Sequence, residues 1–281
     1  MTNDEEVRPS GIGAGSILRR QANGAVEGVT DELVVEEPLE IRIGKEPLVV
    51  TMRTPGHDED LAAGFLLSEG VVRARKDVRR LVHSRLTNSH GNILTVTLSA
   101  HAKFSPESTR RFGTISTSCG LCGKTSIESI HRQFSPIDAH RAVRIEESKL
   151  LELSQRLREA QENFSRTGGI HAAAIFHHRG DLVVLREDIG RHNAVDKAIG
   201  FAFLDEMLPL NEHVLVVSGR SSLEIVQKAL AAGIPIVASV SAPSTLAVNF
   251  ARASGQTLIG FLRPPTFNIY SHVERVVLGP F

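Results

Sequence analysis

The second half of the chain alternates between short, almost continuously apolar runs and amphipathic runs. Three apolar runs, at 214–218, 235–240 and 257–262, are separated by helical patterns at 223–232 and 245–253. Apolar strands of this kind are typical of sheets buried on both faces, in which a helix crosses over between parallel neighbours. The alternation therefore predicts an α/β domain with helices on both faces of its sheet.

The chain just before this alternation extends the same domain. Helical patterns at 146–164 and 193–207 flank two strand-like runs at 171–176 and 182–185. A boundary is predicted near residue 140, so that the α/β domain spans residues 141–281.

Residues 29–140 are predicted to form a smaller α+β domain that carries the cysteine loop described below. Its predicted elements are two strands between 32 and 53 with a turn at 44–46, a helix after Thr54, and strands at 78–82 and 93–98. Residues 1–28 are rich in glycine and serine, charged and aperiodic, so a flexible tail is expected there.

The helix after Thr54 opens with three acidic residues, Asp58, Glu59 and Asp60. Acids in a first helical turn interact favourably with the helix dipole, and this interpretation is preferred to a metal site. His57, at the mouth of the same helix, is the better functional candidate.

The only two cysteines of the chain, Cys119 and Cys122, stand at C-x-x-C spacing in a glycine-rich, polar stretch. Three chemistries use this spacing: half of a zinc site, thiol–disulfide exchange, and sulfur relay through a persulfide. Structural zinc needs two further thiolate or imidazole ligands. A second C-x-x-C is absent, and no structural metal is predicted.

The two remaining chemistries differ in what surrounds the motif. A thioredoxin-like motif opens a helix directly after a strand, whereas here the helical pattern starts only near Ser126. Sulfur relay needs an exposed thiolate on a loop that can reach a donor and an acceptor. Arg110, Arg111 and Lys124 would favour the thiolate if they lie near it in space. Relay is the preferred interpretation; disulfide exchange, and two inert core cysteines, remain alternatives.

Polar turns follow the three predicted parallel strands, at 218–222, 241–245 and 263–270. In an open α/β sheet, ligands bind beyond the carboxyl ends of the strands. Gly219 permits close approach of the backbone, and Arg220 and Arg263 add positive charge, so a phosphate-bearing ligand is predicted at this edge. The alternative is that the serines and threonines only cap helices.

Two further loops, at 167–171 and 186–193, are expected to face the same crevice. Arg191 and His192 could contact a phosphate or move a proton there. Equally, they could belong to an ion-paired loop with Glu187 and Asp188.

Charge and composition exclude some classes of partner. Lys and Arg number 32, as do Asp and Glu, and the chain has one Tyr and no Trp. This balance and the scarcity of aromatic residues predict no nucleic-acid partner. No apolar run approaches the ~18 residues of a membrane span, and the acidic N-terminus lacks the pattern of a signal peptide. A cytoplasmic location with no membrane partner is expected.

Several segments together resemble the FdhD family of formate dehydrogenase accessory sulfurtransferases. They are TPGHDEDLAAGFL at 54–66, SCGLCGK at 118–124, TGGIH at 167–171, REDIGRHNAVDK at 186–197, SGRSS at 218–222 and FLR at 261–263. A lone C-x-x-C is a weak signal, but this ordered set is specific and covers most of the chain from residue 29 onward.

The resemblance implies a function that the residues alone do not. Such proteins accept sulfur from a cysteine desulfurase and deliver it to the Mo-bis(molybdopterin guanine dinucleotide) cofactor, or its tungsten equivalent, of the formate dehydrogenase catalytic subunit. The persulfide of the family maps to Cys119, with Cys122 assisting it. The family's dinucleotide contact maps to Phe261, Leu262, Arg263, Pro264, Pro265 and Thr266. A cytidine-deaminase-like second domain and a homodimer are also implied, and Arg263 is the contact with the firmest match.

Two other functions stay open at this point. A thiol–disulfide oxidoreductase would form a stable bond between Cys119 and Cys122 and would not need the anion crevice. A non-catalytic chaperone that binds the cofactor would need the crevice but not the cysteines.

Overall fold

The computed structural model describes residues 11–84, 92–100, 102, 133–138 and 143–279. Cys119 and Cys122, with the predicted polar turn near residue 90 and the predicted domain boundary near 140, lie outside the described residues. The boundary therefore stays a prediction.

The chain begins with an antiparallel hairpin, which corrects the expectation of a flexible tail. Strand β1 (Ile12–Arg20) pairs with β2 (Val26–Val34) along its whole length, from Ile12 opposite Val34 to Arg20 opposite Val26. The serine and glycine content of this region obscured the strand pattern, because its apolar residues are few and only partly buried. Residues 1–10 lie outside the described residues.

The first half of the chain is built on a four-stranded sheet in the order β4-β3-β6-β5. Its strands are β3 (Glu37–Ile43), β4 (Glu46–Arg53), β5 (Val78–His83) and β6 (Ile93–Leu98), with helix α1 (Asp58–Ser68) and a 3₁₀ turn (Arg75–Asp77) between β4 and β5. The predicted turn at 44–46 is confirmed, and Gly44 has the positive φ of 59° that favours glycine in a tight hairpin.

The second half contains a six-stranded sheet in the order β13-β12-β11-β10-β8-β9. The strands are β8 (His171–His177), β9 (Leu182–Asp188), β10 (His213–Val217), β11 (Ile236–Ser239), β12 (Thr257–Arg263) and β13 (Thr266–Ser271). A separate parallel pair joins β7 (Ile145–Glu146) to β14 (Val276–Val277), after the 3₁₀ turn Val273–Arg275. Strands β10, β11 and β12 are parallel to one another, as the alternation predicted.

Helices cover both faces of this sheet. They are α2 (Glu147–Ala160), α3 (Glu162–Thr167), α4 (Arg191–Leu204), α5 (Leu223–Ala231) and α6 (Thr245–Ala253). The strand residues alternate between two apolar clusters: Leu215 packs with α4, α5 and α6, and Val214 packs with α2. The prediction of an α/β domain covered on both faces is therefore confirmed.

One predicted helix is interrupted. The pattern at 146–164 forms α2 and α3 with a break at Gln161, whose ψ of 80° is not helical. The carboxylate of Glu187 accepts hydrogen bonds from the backbone N–H groups of Asn163 and Phe164, each at 3.0 Å. This partner satisfies the first free donors of α3 and so allows a new helix to start.

The two halves of the chain share one apolar cluster. It includes Leu39 and Ile41 of the first sheet, Leu61 of α1 and Val195 of α4, all with 1% exposure or less. Helices α1 and α4 are in such close contact that the space of a Cβ on Gly64 is taken by the backbone of Asp196. Among the described helices, none is both long and apolar enough to cross a membrane.

Candidate functional site

The segments predicted to face one crevice meet at one edge of the six-stranded sheet. The carboxyl ends of β10, β11 and β12 share this edge because the strands are parallel. Strand β8 runs antiparallel to β10, with Ala173 opposite Val217, so its amino end is at the same edge. Asp188, at the end of β9, lies opposite His171. The loops before β8 and after β9 therefore open at the edge where ligands bind in α/β sheets.

A cavity of about 640 Å³, here called cavity 1, opens at this edge. Its wall contains parts of 168–171, Ser218 and 262–264, together with residues of α2 and α3. A volume of this order is typical of small-molecule sites. Cavity 1 is therefore the candidate ligand site.

The residues that the resemblance assigned to the dinucleotide occupy different positions around cavity 1. Leu262, Arg263 and Pro264 line it. Arg263 is held in place by a hydrogen bond of 2.9 Å from its Nε to the carbonyl of Val240, which leaves its terminal N–H groups to other partners. Phe261 is exposed, with a positive φ of 52°. These positions do not test whether the residues bind the dinucleotide, so that role stays a prediction.

The third predicted turn is shorter than expected. Residues 263–270 were predicted as a polar turn, but Thr266 begins β13, which pairs antiparallel with β12. Only Pro264 and Pro265 lie between the two strands. Four of the five residues from Thr266 to Tyr270 are β-branched or aromatic, and such residues favour a strand.

The serines of the other two turns make different contacts. In the turn after β11, the hydroxyl of Ser244 accepts a hydrogen bond of 3.2 Å from the backbone N–H of Ala247, so the capping interpretation is right there. In the turn after β10, Ser222 precedes α5 but its hydroxyl contacts the Nε2 of His192 at 3.1 Å. Neither Gly219 nor Arg220 lines cavity 1. Gly219 packs against His171, whose ring atoms would lie 3.3 Å from an added Cβ.

Positive groups surround His171 where cavity 1 meets a second cavity. Burial, together with the charges of Arg191, His192 and Arg220, lowers the pKa of His171 below its usual value. His171 is therefore a neutral imidazole near pH 7, able to accept a hydrogen bond. The adjacent cations favour an anionic ligand at this junction.

The second cavity, here called cavity 2, measures about 590 Å³ and shares His171 and Ile189 with cavity 1. It lies between the first sheet and helices α1, α4 and α5. Two ion pairs line it: the partly buried His192 with Glu224 at 2.8 Å, and the buried Lys228 with Asp196 at 2.7 Å. Sequence analysis missed this cavity. Its signal was the polar set Glu224, Gln227 and Lys228, which interrupts an apolar helix.

The loop at 186–193 is ion-paired, but not as expected. Asp188, which is fully buried, pairs with Lys197 of α4 at 2.7 Å, not with Arg191 or His192. Within the described ranges, the side chain of Arg191 has no hydrogen bond or ion pair, and its Nε is buried without a partner. Arg191 is therefore available to a ligand at the junction of the two cavities.

The acidic start of α1 is structural. Asp58 pairs with Arg53 at 3.0 Å, and Asp60 pairs with Arg186 at 2.9 Å, which links the first half of the chain to β9. His57 precedes the helix in a left-handed conformation and is absent from the walls of both cavities. In the part of the chain that the structure describes, no group of three His, Cys, Asp or Glu residues is placed to hold a metal ion. The expectation of no structural metal stays a prediction.

Gln133 is the first described residue after Cys119 and Cys122. The side-chain amide of Gln133 donates a hydrogen bond of 2.6 Å to the carbonyl of Glu69, and Glu69 lines cavity 2. The described chain after the cysteines therefore resumes beside cavity 2.

The buried pair of Glu224 and His192 predicts a specific acid sensitivity. Burial tends to raise the pKa of Glu224, but the hydrogen bond from His192 and the charges nearby outweigh it and hold the pKa below its usual 4.5. The carboxylate thus stabilises the fold above about pH 4.5, and this contribution is lost as the pH falls through the lowered folded-state value. We expect Glu224→Gln to cost about 1 to 3 kcal/mol of unfolding free energy above pH 5 and progressively less below, measured by urea denaturation.

Glu212→Gln is the matched control, because Glu212 faces His177 at 3.4 Å with a side chain that is 70% exposed. An exposed pair of this kind contributes little to stability. An equal effect of both substitutions at every pH would contradict the assignment to Glu224.

Comparisons with known proteins agree with one another. The model of the FdhD/NarQ family matches residues 34–277. The protein named "Sulfur carrier protein FdhD" of Streptomyces coelicolor is 47% identical over 264 residues, which cover 92% of this chain and 94% of that protein. Its namesake of Mycolicibacterium paratuberculosis is 49% identical over 253 residues, covering 88% and 92%.

A solved structure shows the same fold. It is the crystal structure of a protein described as a formate dehydrogenase accessory protein from Desulfotalea psychrophila, with a TM-score of 0.74 and 22% sequence identity. The match covers 95% of this chain and 99% of that one.

Proposed function

Because the chain belongs to the FdhD/NarQ family, we propose that it is a sulfur carrier. In this proposal it takes persulfide sulfur from a cysteine desulfurase and delivers it to the Mo-bis(molybdopterin guanine dinucleotide) cofactor that a formate dehydrogenase requires. The observation that carries the proposal is the family match over residues 34–277, which contains both cysteines and every segment of the crevice. The proposed setting is the cytoplasm, and the proposed assembly is a homodimer.

Cys119 is the proposed sulfur acceptor. Its thiolate attacks the terminal sulfur of the donor persulfide and forms a new S–S bond, while the S–S bond of the donor breaks and the donor thiolate leaves. No net oxidation occurs in this exchange. In the delivery step, an electron pair of the acceptor forms the new bond to the terminal sulfur while the S–S bond at Cys119 breaks, and Cys119 leaves as the thiolate. Cys122 assists.

Cavity 1 is the proposed site of the cofactor's nucleotide. Arg263 on its wall, with Arg191 and Arg220 beside His171, supports the binding of a diphosphate. The cofactor in this scheme is the substrate of the transfer.

The sheet also supports the cytidine-deaminase-like arrangement that the resemblance implies for the second domain. An antiparallel pair, β9-β8, is followed in the sheet by the three parallel strands β10, β11 and β12, which are connected by α5 and α6. The proposed function involves no deamination.

Intact-protein mass spectrometry tests the sulfur carrier directly. After incubation with a cysteine desulfurase and cysteine, we expect the mass to rise by about one sulfur atom and to fall back on treatment with a reductant, because a persulfide is reducible. The gain should be absent in Cys119→Ala and present in Ser118→Ala. If the mass never rises and Cys119 and Cys122 instead close into a disulfide, the oxidoreductase alternative replaces the carrier.

A further inference from the structure

Gln161 is an unusual wall residue of cavity 1. It lies at the break between α2 and α3, and the whole residue is only 3% exposed. Its side-chain Nε2 is buried and has no hydrogen-bond partner among the described residues. A buried donor without an acceptor is unfavourable and rare in native proteins. The amide exchanges its nitrogen and oxygen by rotating about its last torsion, which turns this unpaired donor toward the cavity, where a ligand atom can accept its hydrogen bond.

The break in the helix is what places this amide. In a continuous helix, Gln161 would lie one turn beyond Leu157 and Arg158, on the same face of α2. With a ψ of 80°, Gln161 instead turns the chain into α3, which starts on the carboxylate of Glu187. The helices on both sides fix the backbone of Gln161, so its amide has a defined position. A defined position is what selection of a ligand requires.

The same wall carries a flat surface. The guanidinium of Arg158 lies over the ring of Phe164, 4.2 Å from its centroid, and both residues line cavity 1. Planar guanidinium and aromatic groups are the surfaces on which proteins stack nucleobases. Gln161 lies between these two residues in the sequence and on the wall of the same cavity. The wall therefore combines a stacking surface with an amide that can contact the edge of a base.

We propose that Gln161 selects the base of the nucleotide, by donating a hydrogen bond from Nε2 to the ring carbonyl oxygen that guanine carries and adenine lacks. At that position of the ring, guanine presents the O6 acceptor, whereas adenine presents an amino donor. Two donors cannot pair, so adenine leaves the buried amide unsatisfied. This inference rests on the proposed function, which makes a guanine dinucleotide the ligand, and it assigns base recognition to α2, Gln161 and α3.

Calorimetric titration of the full chain with GDP, IDP and ADP tests the proposal. Inosine keeps the O6 carbonyl and lacks only the 2-amino group, so the comparison of GDP with IDP separates a contact to the 2-amino group from one to the O6 side of the ring. We expect GDP and IDP to bind within a few-fold of each other, and both to bind about 10-fold or more tightly than ADP, the scale of a good contact to a base edge. Gln161→Met keeps the length of the side chain and removes the amide. It should lose about 10-fold in affinity for GDP and abolish the preference over ADP.

The matched control is Gln155→Met. Gln155 lines the same cavity, but it is exposed and its Nε2 already donates to Glu159 at 2.8 Å. This variant should bind all three nucleotides as the unmodified protein does. Gln161→Glu, a near-isosteric change that also removes the donor, serves as the second variant if Gln161→Met is not folded by thermal melting.

The outcomes separate this inference from the proposed function. Equal binding of GDP and ADP by the unmodified protein, or weak binding of IDP alongside ADP, would overturn the role of Gln161 and leave the cofactor site standing. Preference for GDP that survives in a folded Gln161 variant would do the same. Failure of all three nucleotides to bind would overturn the nucleotide site itself, and the base contact with it.

Discussion

Loss of formate dehydrogenase maturation is the expected result of replacing Cys119 with alanine. The proposed transfer passes every sulfur atom through one thiolate, so no other residue can compensate once that nucleophile is removed. We expect no formate dehydrogenase activity above background in cells whose only copy of this chain is Cys119→Ala. The melting temperature of the purified variant should be unchanged, because the proposed role of this thiol is chemical and not structural.

Ser118→Ala is the matched control, since it alters the neighbouring position of the same segment and leaves both thiols. Its maturation activity should equal that of the unmodified chain. Normal maturation by Cys119→Ala would reject the sulfur carrier. If the variant with both Cys119 and Cys122 replaced by alanine also supported maturation, the cofactor-binding chaperone would be the remaining interpretation.

A loss of stability of more than about 3 kcal/mol is expected for Gly64→Ala. In most helices this change is favourable by about 1 kcal/mol, because alanine is the better helix former. Here the added Cβ would overlap the backbone carbonyl of Asp196, which belongs to α4 and has no rotamer through which it can move aside. The steric cost therefore exceeds the gain in helix propensity. Urea denaturation measures the change in unfolding free energy.

Gly28→Ala is the comparison for this experiment. Gly28 is exposed in β2, and no described atom lies within 4 Å of the position of its added Cβ. A change within about 0.5 kcal/mol is expected, as for other surface positions. A neutral or stabilising Gly64→Ala would show that α1 and α4 can separate without cost.

The contact between α1 and α4 also bears on the site. Arg191 and His192 begin α4, and the end of α1 leads to Glu69 in the wall of cavity 2. Glycines 64 and 200 both face backbone of the opposite helix. The close packing that they permit thus sets the width of cavity 2, and a substitution there is expected to disturb both stability and site.

Elements with strong apolar periodicity could be predicted from the sequence, and elements without it could not. The strands and helices between residues 213 and 263 have unbroken apolar patterns, and each is found within a few residues of its predicted bounds. The hairpin of β1 and β2 was missed because its side chains are only partly buried, so selection for apolar residues is weak. Strand β13 was missed because two prolines precede it and its pattern was taken for a turn.

For the site, the segments that form the crevice could be predicted, but the side chains that they contact could not. Arg263 and Ser218 lie at the carboxyl ends of β12 and β10 as predicted, because that argument needs only the direction of each strand. The alternative in which Arg191 and His192 pair with Glu187 and Asp188 is wrong. His192 pairs with Glu224, and Asp188 pairs with Lys197, and both partners come from helices whose packing no local pattern encodes.

The sequence by itself determined the local elements, the C-x-x-C at Cys119 and Cys122, and the set of polar turns, because each depends on residues close together in the chain. Only the tertiary structure decided how those turns come together. Strand β8 enters the sheet antiparallel to β10, which brings His171 and Asp188 to the same edge as Arg263. The break at Gln161 and the buried pairs of cavity 2 were likewise decided there. The physical reason is that burial and ion pairing depend on contacts between distant segments, whose energies appear only once the core has packed.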